Sequence, residues 1–392
     1  MYPAPSRSVY TTPNPANSII MTNIGIGVIG TGYMGKAHSV AMNSVGAVFN
    51  TPLKPVCEML CATTEKGASE KAKAFGFNRA TADWRTLVDD PKVEAIVIAS
   101  PQSTHKDIAL AAIAKGKPIL CEKPMGASLA EAKEMTEAAE RAGIVNMVGF
   151  NYVRTPATQY ARQLIKNGDI GDITWFRGEH TEDFLADAKA PSNWRTQGRA
   201  NGTMGDLSSH MINCAMALVG PIASVSADIE SVHKTRPAEN NPAVQEEVTN
   251  DDHAHCLCRF TSGVMGHLYF SRISTGRKMG YAYEITGTRG AIRFDQEDQN
   301  ALWLYRMEGP EAERGFRKIL TGPAHPDYIE FCLGPGHGTG YQDQLIIEAK
   351  DFLNAIHSGK AQWPTFRDGL AVAQVIEAMW QSQDSRQWVD LA

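Results

Sequence analysis

The chain has 392 residues, 43% of them hydrophobic and 21% charged, with a net charge of −5 at pH 7. That length exceeds one comfortable core and predicts two domains, and the composition is that of a globular protein. The lack of a basic excess argues against nucleic acid and membrane surfaces as partners, and no apolar run is long enough to span a bilayer.

Residues 1–20, MYPAPSRSVYTTPNPANSII, are rich in Pro, Ser, Thr and Asn and lack the charged and apolar regions of a signal peptide. Residues 1–21 are expected to be a flexible extension, or an arm that orders only on a partner subunit. The seven cysteines are an odd number in apolar settings. They suit buried thiols in a reducing cytoplasm better than a disulfide framework.

The first strong strand is residues 24–29, IGIGVI. Gly30-Thr31-Gly32-Tyr33-Met34-Gly35 follows at once, and a helix-like stretch begins at Lys36. Between a buried strand and a helix, each glycine of this pattern has a physical task. Gly30 permits the tight turn, Gly32 lets a pyrophosphate approach the backbone, and Gly35 lets helix and strand pack closely. The helix N-terminus then offers unpaired N–H groups to phosphate, so Thr31, Tyr33 and Met34 join the glycines as cofactor contacts.

Strands are predicted next at residues 55–62, 95–99, 118–121 and 145–150, with helices at 65–75, 105–115 and 129–142. This alternation implies a doubly wound parallel sheet over residues 22–150. Ligands of such sheets bind at the carboxyl ends of the strands, which aims Pro101, Gln102, Glu122, Lys123 and Asn151 at one crevice. Pro101, Gln102, His105, Glu122 and Lys123 are taken as cofactor contacts. The second strand ends Leu60-Cys61-Ala62-Thr63-Thr64, with no acid at the place that usually holds the ribose of NAD; Glu58 and Glu65 are offset from it. Thr63, Thr64 and Lys66 are able to accept a 2′-phosphate, so the cofactor is NAD or NADP.

Residues 151–392 are expected to form a substrate-binding and oligomerisation domain of the α/β class. Strands recur at 173–178, 225–229, 253–260, 264–272, 281–286, 291–294 and 301–305. Turns such as Thr261-Ser262-Gly263 and Gly287-Thr288-Arg289-Gly290 separate several of them and favour antiparallel pairing. Two closing helices carry apolar stripes, one through Leu345, Ile346, Phe352 and Leu353 and one through Leu370, Ile376 and Trp380; they are able to pack back on the first domain. An open sheet needs a cover, which predicts a homodimer or homotetramer. Asp251-Asp252-His253-Ala254-His255-Cys256-Leu257-Cys258 invites a metal reading. On a strand, however, its histidines and cysteines fall on opposite faces, so no metal site is assigned.

Cys121-Glu122-Lys123-Pro124 at a strand end, after the glycine fingerprint, resembles the glucose–fructose oxidoreductase/inositol dehydrogenase/rhizopine-catabolism family (Gfo/Idh/MocA). Four further matches stand in family order: Pro101-Gln102-Ser103-Thr104-His105, Gly149-Phe150-Asn151-Tyr152-Val153-Arg154, Asn193-Trp194-Arg195 and Gly205-Asp206-Leu207-Ser208-Ser209-His210. The resemblance covers about residues 22–390. It implies a Rossmann domain followed by an α/β domain with a large, mostly antiparallel open sheet. It also implies a catalytic trio at Lys123, Asp206 and His210, and a cis bond between Lys123 and Pro124. Arg314-Gly315-Phe316-Arg317 and Thr321-Gly322-Pro323-Ala324-His325-Pro326 resemble the levoglucosan dehydrogenase branch of the family.

The residues themselves suit that chemistry. Asp206 and His210 are four apart and share a face if both lie on one helix. A histidine beside a cleft can take a hydroxyl proton near neutral pH, and a lysine beside the developing alkoxide favours the charge that builds there. Tyr152, Arg154, His180, Asp183, Trp194 and Arg195 supply a mixed aromatic and polar lining for a sugar, beside Lys123, Asp206 and His210. The reading is an NAD(P)-dependent dehydrogenase for a secondary hydroxyl of a sugar, glycoside or cyclic polyol. The alternatives are an inositol dehydrogenase and a non-catalytic sensor of nucleotide or sugar on the same fold; loss of the Lys, Asp or His would favour the sensor, and all three are present.

Overall fold

The computed structural model describes residues 22–391. The expected N-terminal extension lies outside the described residues. Thr22–Ile29 (β1) opens a six-stranded parallel sheet whose later strands are Leu53–Cys61 (β2), Arg79–Thr81 (β3), Ala95–Ile98 (β4), Ile119–Glu122 (β5) and Asn146–Gly149 (β6). The order is β3-β2-β1-β4-β5-β6, so the direction of winding reverses between β1 and β4 and leaves a crevice at their carboxyl ends. The crossovers are the helices Tyr33–Val48 (α1), Glu65–Phe75 (α2), Trp84–Asp89 (α3), His105–Ala114 (α4) and Leu129–Ala142 (α5). β4 to β6 are buried at every residue, as parallel strands covered on both faces must be.

The chain leaves the first sheet through Pro156–Lys166 (α6), which the strand and helix periodicities did not reveal. Its start was legible: Thr155 caps it by accepting from the Thr158 N–H, and Pro156 occupies the first turn. Ile173–Thr181 (β7) then enters a nine-stranded sheet. Two short helices, Thr203–Asp206 (α7) and Ser208–Val219 (α8), precede Ile222–Glu230 (β8). A two-stranded hairpin of Thr235–Ala238 (β9) and Asn241–Glu247 (β10) stands apart from both sheets.

The large sheet continues with His253–Phe260 (β11), Met265–Ser271 (β12), Gly280–Gly287 (β13), Gly290–Asp295 (β14), Ala301–Arg306 (β15) and Arg317–Leu320 (β16). It closes with Val389–Asp390 (β17), in the order β16-β15-β14-β13-β7-β12-β11-β8-β17. Every neighbour is antiparallel except β7 and β12. In β11, Ala254, Cys256, Cys258 and Phe260 are buried, while His255, Leu257 and Arg259 are exposed. The cysteines thus face the core, away from His255. Among the described residues no three His, Cys, Asp or Glu side chains converge as a metal site.

After Tyr328–Phe331 (α9), two long helices return to the first sheet. Tyr341–Ser358 (α10) packs Leu345, Ile346, Phe352 and Leu353 in one cluster with Ala41, Met42 and Val45 of α1. Phe366–Ser385 (α11) buries Phe366, Val372, Val375 and Met379 in the main core, and the Thr136 hydroxyl donates to the Phe366 carbonyl. Among the described residues no helix is long and apolar enough to cross a membrane.

Candidate active site

The glycine turn sits at the mouth of the crevice. Gly30 has φ +113, a left-handed conformation that favours glycine, and a Cβ on Gly35 would collide with the Gly30 carbonyl. At Gly32 a Cβ would meet nothing within 4 Å. α1 begins there with no side-chain cap and no acid in its first turn, so its first N–H groups are left for an anion. These residues fit the pyrophosphate of a dinucleotide. Tyr33 is 71% exposed and stacks on Tyr341 at 5.8 Å, and the Tyr341 hydroxyl donates to Met34 Sδ, so α10 adds a wall to the same mouth.

Thr63 and Thr64 are exposed at the end of β2. Thr64 caps α2 by accepting from the Gly67 N–H at 3.1 Å, and Glu65 accepts from the Ala82 N–H at 3.1 Å. Pro101 is exposed above β4. Gln102 reaches across the crevice and donates to Asn201 and to the Ala200 carbonyl.

Lys123, at the end of β5, crosses the crevice in the same way. Its Nζ lies 2.7 Å from Asp206 Oδ1 and 2.9 Å from the Asp206 carbonyl, and the Lys123–Pro124 bond is cis. Asp206 and His210 do not share one helix as expected. The helix breaks at Leu207, and the carbonyls of Asp206 and Leu207 turn outward to Lys123 and His180. A local donor marks the break as well: the Ser208 hydroxyl donates to the Met204 carbonyl four residues back, competing with the backbone N–H there.

Burial pushes the Asp206 carboxyl up, but the adjacent Lys123 ammonium more than reverses this and holds it below the usual range. His210 is 5% exposed, beneath Tyr152 at 4.5 Å between ring centres and near Phe150 and His180. Burial, then the charges of Lys123 and His180, hold its pKa well below the ordinary value, so the ring is neutral. It has no hydrogen-bond partner among the described residues and is free to accept a proton.

Tyr152 and His180 form the floor with Tyr281, a residue the motifs did not reveal. His180 has both nitrogens engaged, Nδ1 with the Leu207 carbonyl and Nε2 with Glu182. Trp194 is 57% exposed at the rim, with the Arg195 guanidinium over its ring at 4.1 Å and near Phe184.

Several residues expected at the site have their polar groups engaged by other parts of the chain. Arg154 is buried and turned into α10, where it pairs with Glu348 and Asp351; Glu348 is fully buried, and a buried carboxylate is costly without a cation. Asp183 is taken by Lys278 at 2.7 Å and the Gly276 N–H, which pin a surface loop. His105 is buried between the carbonyls of Ser100 and Pro124, with both ring nitrogens engaged. Asn151 is likewise turned to Gln344. The Glu122 carboxylate is engaged by His38 and by the Lys123 N–H.

This arrangement, an anion-binding glycine turn facing a Lys, Asp and His cluster, is that of a nicotinamide-dependent oxidoreductase. Residues 24–150 match the oxidoreductase family with an NAD-binding Rossmann fold, and residues 158–293 match the C-terminal domain of the same Gfo/Idh/MocA family. The chain belongs to that family. It is 37% identical over 385 residues to levoglucosan dehydrogenase of Pseudarthrobacter phenanthrenivorans, across 95% of this chain and 99% of that one. It is 31% identical over 338 residues to scyllo-inositol 2-dehydrogenase (NAD(+)) of Bacillus subtilis, across 85% and 86% of the two chains. A solved structure of levoglucosan dehydrogenase in complex with NADH and levoglucosan has a TM-score of 0.91 and 38% identity, covering 94% of this chain and 100% of that one. The family and fold class expected from the motifs are therefore those of the chain.

Proposed function

We propose that this chain oxidises a secondary hydroxyl of a sugar, glycoside or anhydrosugar, with His210 as general base beside Lys123 and Asp206. The observation that carries the reading is the His210 imidazole, without a hydrogen-bond partner among the described residues, in an aromatic pocket next to the Lys123 and Asp206 pair. A bound nicotinamide supplies the hydride acceptor. His210 takes the hydroxyl proton. The Lys123 ammonium faces the oxygen on which negative charge grows, and the free oxygen of Asp206 accepts from a neighbouring hydroxyl. Tyr152, Tyr281 and the rim residues Trp194 and Phe184 provide flat apolar faces for a sugar ring.

The higher identity to levoglucosan dehydrogenase than to the inositol enzyme supports a pyranose-type substrate over an inositol. With Glu65 committed to a backbone N–H and no acid at the end of β2, NAD and NADP both belong in the assay. The test is a screen of levoglucosan, aldoses, glycosides and inositols with each cofactor, read as formation of reduced nicotinamide.

A cytoplasmic setting is supported by the free thiols, since none of the seven cysteines is in a disulfide. A homo-oligomer is the reading for the outer face of the large sheet, where Leu257, Met265 and Trp303 are exposed among Arg177, Glu179, Glu284 and Arg293. Sedimentation at micromolar concentration is expected to show a dimer or tetramer; a monomer alone would reject this face as an interface.

A further inference from the structure

The segment that carries Lys123 is gripped on both sides by a buried imidazole. On one side His38 of α1 places Nε2 2.7 Å from Glu122 Oε1; the two residues are 1% and 5% exposed. The other carboxylate oxygen, Oε2, accepts the backbone N–H of Lys123 at 3.2 Å. On the far side His105 lies 3.1 Å from the Pro124 carbonyl and 2.9 Å from that of Ser100. From this grip the lysine side chain spans the crevice to Asp206.

Space for the carboxylate is reserved: a Cβ on Gly149 would lie 2.9 Å from Glu122 Oε1. The second nitrogen of His38, Nδ1, is buried without a partner, and so is Glu348 Oε1. Among the described residues the one hydrogen bond the imidazole makes is therefore the one aimed at Glu122. Burial lowers the His38 pKa, but the hydrogen bond and charge of Glu122 more than reverse this and raise it, so the contact is a charge-assisted one. At 1% exposure His38 cannot touch a substrate; whatever it does for the site it does through Glu122.

We propose that His38 is a positioning residue for Lys123, acting through the Glu122 carboxylate. The inference rests on the reading of Lys123 as part of the reacting trio. Without His38, Glu122 loses the partner that orients it, the Lys123 N–H loses a fixed acceptor, and the ammonium shifts relative to Asp206 and His210. A displacement of about 1 Å in such a group can cost roughly a hundredfold in rate.

The test compares the full-length protein with His38→Ala and His38→Gln, whose amide can still donate to Glu122. With the best substrate of the screen, His38→Ala is expected to lower kcat about tenfold to a hundredfold, with KM and NADH affinity changed less than about twofold. His38→Gln is expected to recover most of the loss. Competitive acetylation of Lys123 by acetic anhydride, read by peptide mass spectrometry, is expected to shift in the alanine variant and return in the glutamine one. If the alanine variant does not fold, His38→Asn, too short to reach Glu122, replaces it.

A kcat within about twofold of wild type in His38→Ala would overturn the inference and leave the dehydrogenase reading standing. So would a loss that KM and melting temperature share and glutamine does not rescue. If the wild type oxidises no sugar or polyol, the dehydrogenase reading fails, and the labelling alone decides. Unchanged Lys123 acetylation in His38→Ala then overturns the positioning role, and a shift that glutamine reverses upholds it.

Discussion

His210→Ala is expected to lower kcat by about 10²–10⁴-fold, the usual contribution of a positioned proton acceptor, while NADH still binds. The cofactor turn is formed by Gly30, Gly32 and Gly35 at the end of β1, on a different element from His210, so the two losses separate. The acid side of the pH profile carries a second signature. A base works in its neutral form, and burial together with Lys123 and His180 holds His210 well below its ordinary 6.5. In the wild type, kcat/KM is therefore expected to persist as pH falls through 6.5 and to decline only below it. Lys123→Ala is expected to lose turnover on a similar scale, by removing the charge beside the reacting oxygen. Near-normal turnover in either variant would remove that residue from the mechanism.

The second large effect is on stability. Arg154→Ala leaves the fully buried Glu348 without its cation, while the partly exposed Asp351 keeps Lys350 at 3.3 Å. Breaking such a pair from one side costs about 3–5 kcal/mol. The cost depends on pH, because burial already lifts the Glu348 carboxyl to about 7 even with Arg154 beside it. A carboxyl raised in the folded state binds more protons there than when unfolded, so its contribution to stability falls as pH rises from 4.5 toward 7. Removing Arg154 deepens this, since its charge was lowering that pKa. The gap between variant and wild type is expected to stay level up to about pH 7, where both folded carboxyls hold their proton, and to widen above it, in denaturant or thermal unfolding. An unfolding midpoint equal to wild type at pH 8 would show that the buried Glu348 carboxylate does not depend on this cation.

What could be read from sequence was what local chemistry dictates. The glycine turn, the parallel alternation and helices such as Glu65–Phe75 and Leu129–Ala142 announce themselves through spacing, caps and apolar runs, and the strand His253–Phe260 through its period of two. Lys123, Asp206 and His210 were legible because their motifs are short and ordered. Less legible was the direction of side chains that distant partners engage. Arg154 turns inward because Glu348 and Asp351 arrive on a helix nearly two hundred residues later. His105 is held by the Pro124 carbonyl, and at the helix break Lys123 and His180 contact the carbonyls of Asp206 and Leu207 while the Ser208 hydroxyl takes that of Met204. The hairpin of β9 and β10 escaped notice for another reason: β10 is exposed at every position, so it carries no apolar period. β16, Arg-Lys-Ile-Leu at a sheet edge, hides its strand behind the charges that protect such edges.

The central claim is that this chain moves a hydride from a sugar hydroxyl to a nicotinamide under the control of Lys123, Asp206 and His210. It is tested most directly by mixing the wild-type protein and Lys123→Ala with NAD⁺ or NADP⁺ and levoglucosan, then with the aldoses, glycosides and inositols of the screen, and following the absorbance of reduced nicotinamide. The account predicts a steady rise with at least one cyclic substrate in the wild type and almost none in the variant, although the variant still binds NADH. No rise with any substrate, or equal rises in both proteins, would contradict it.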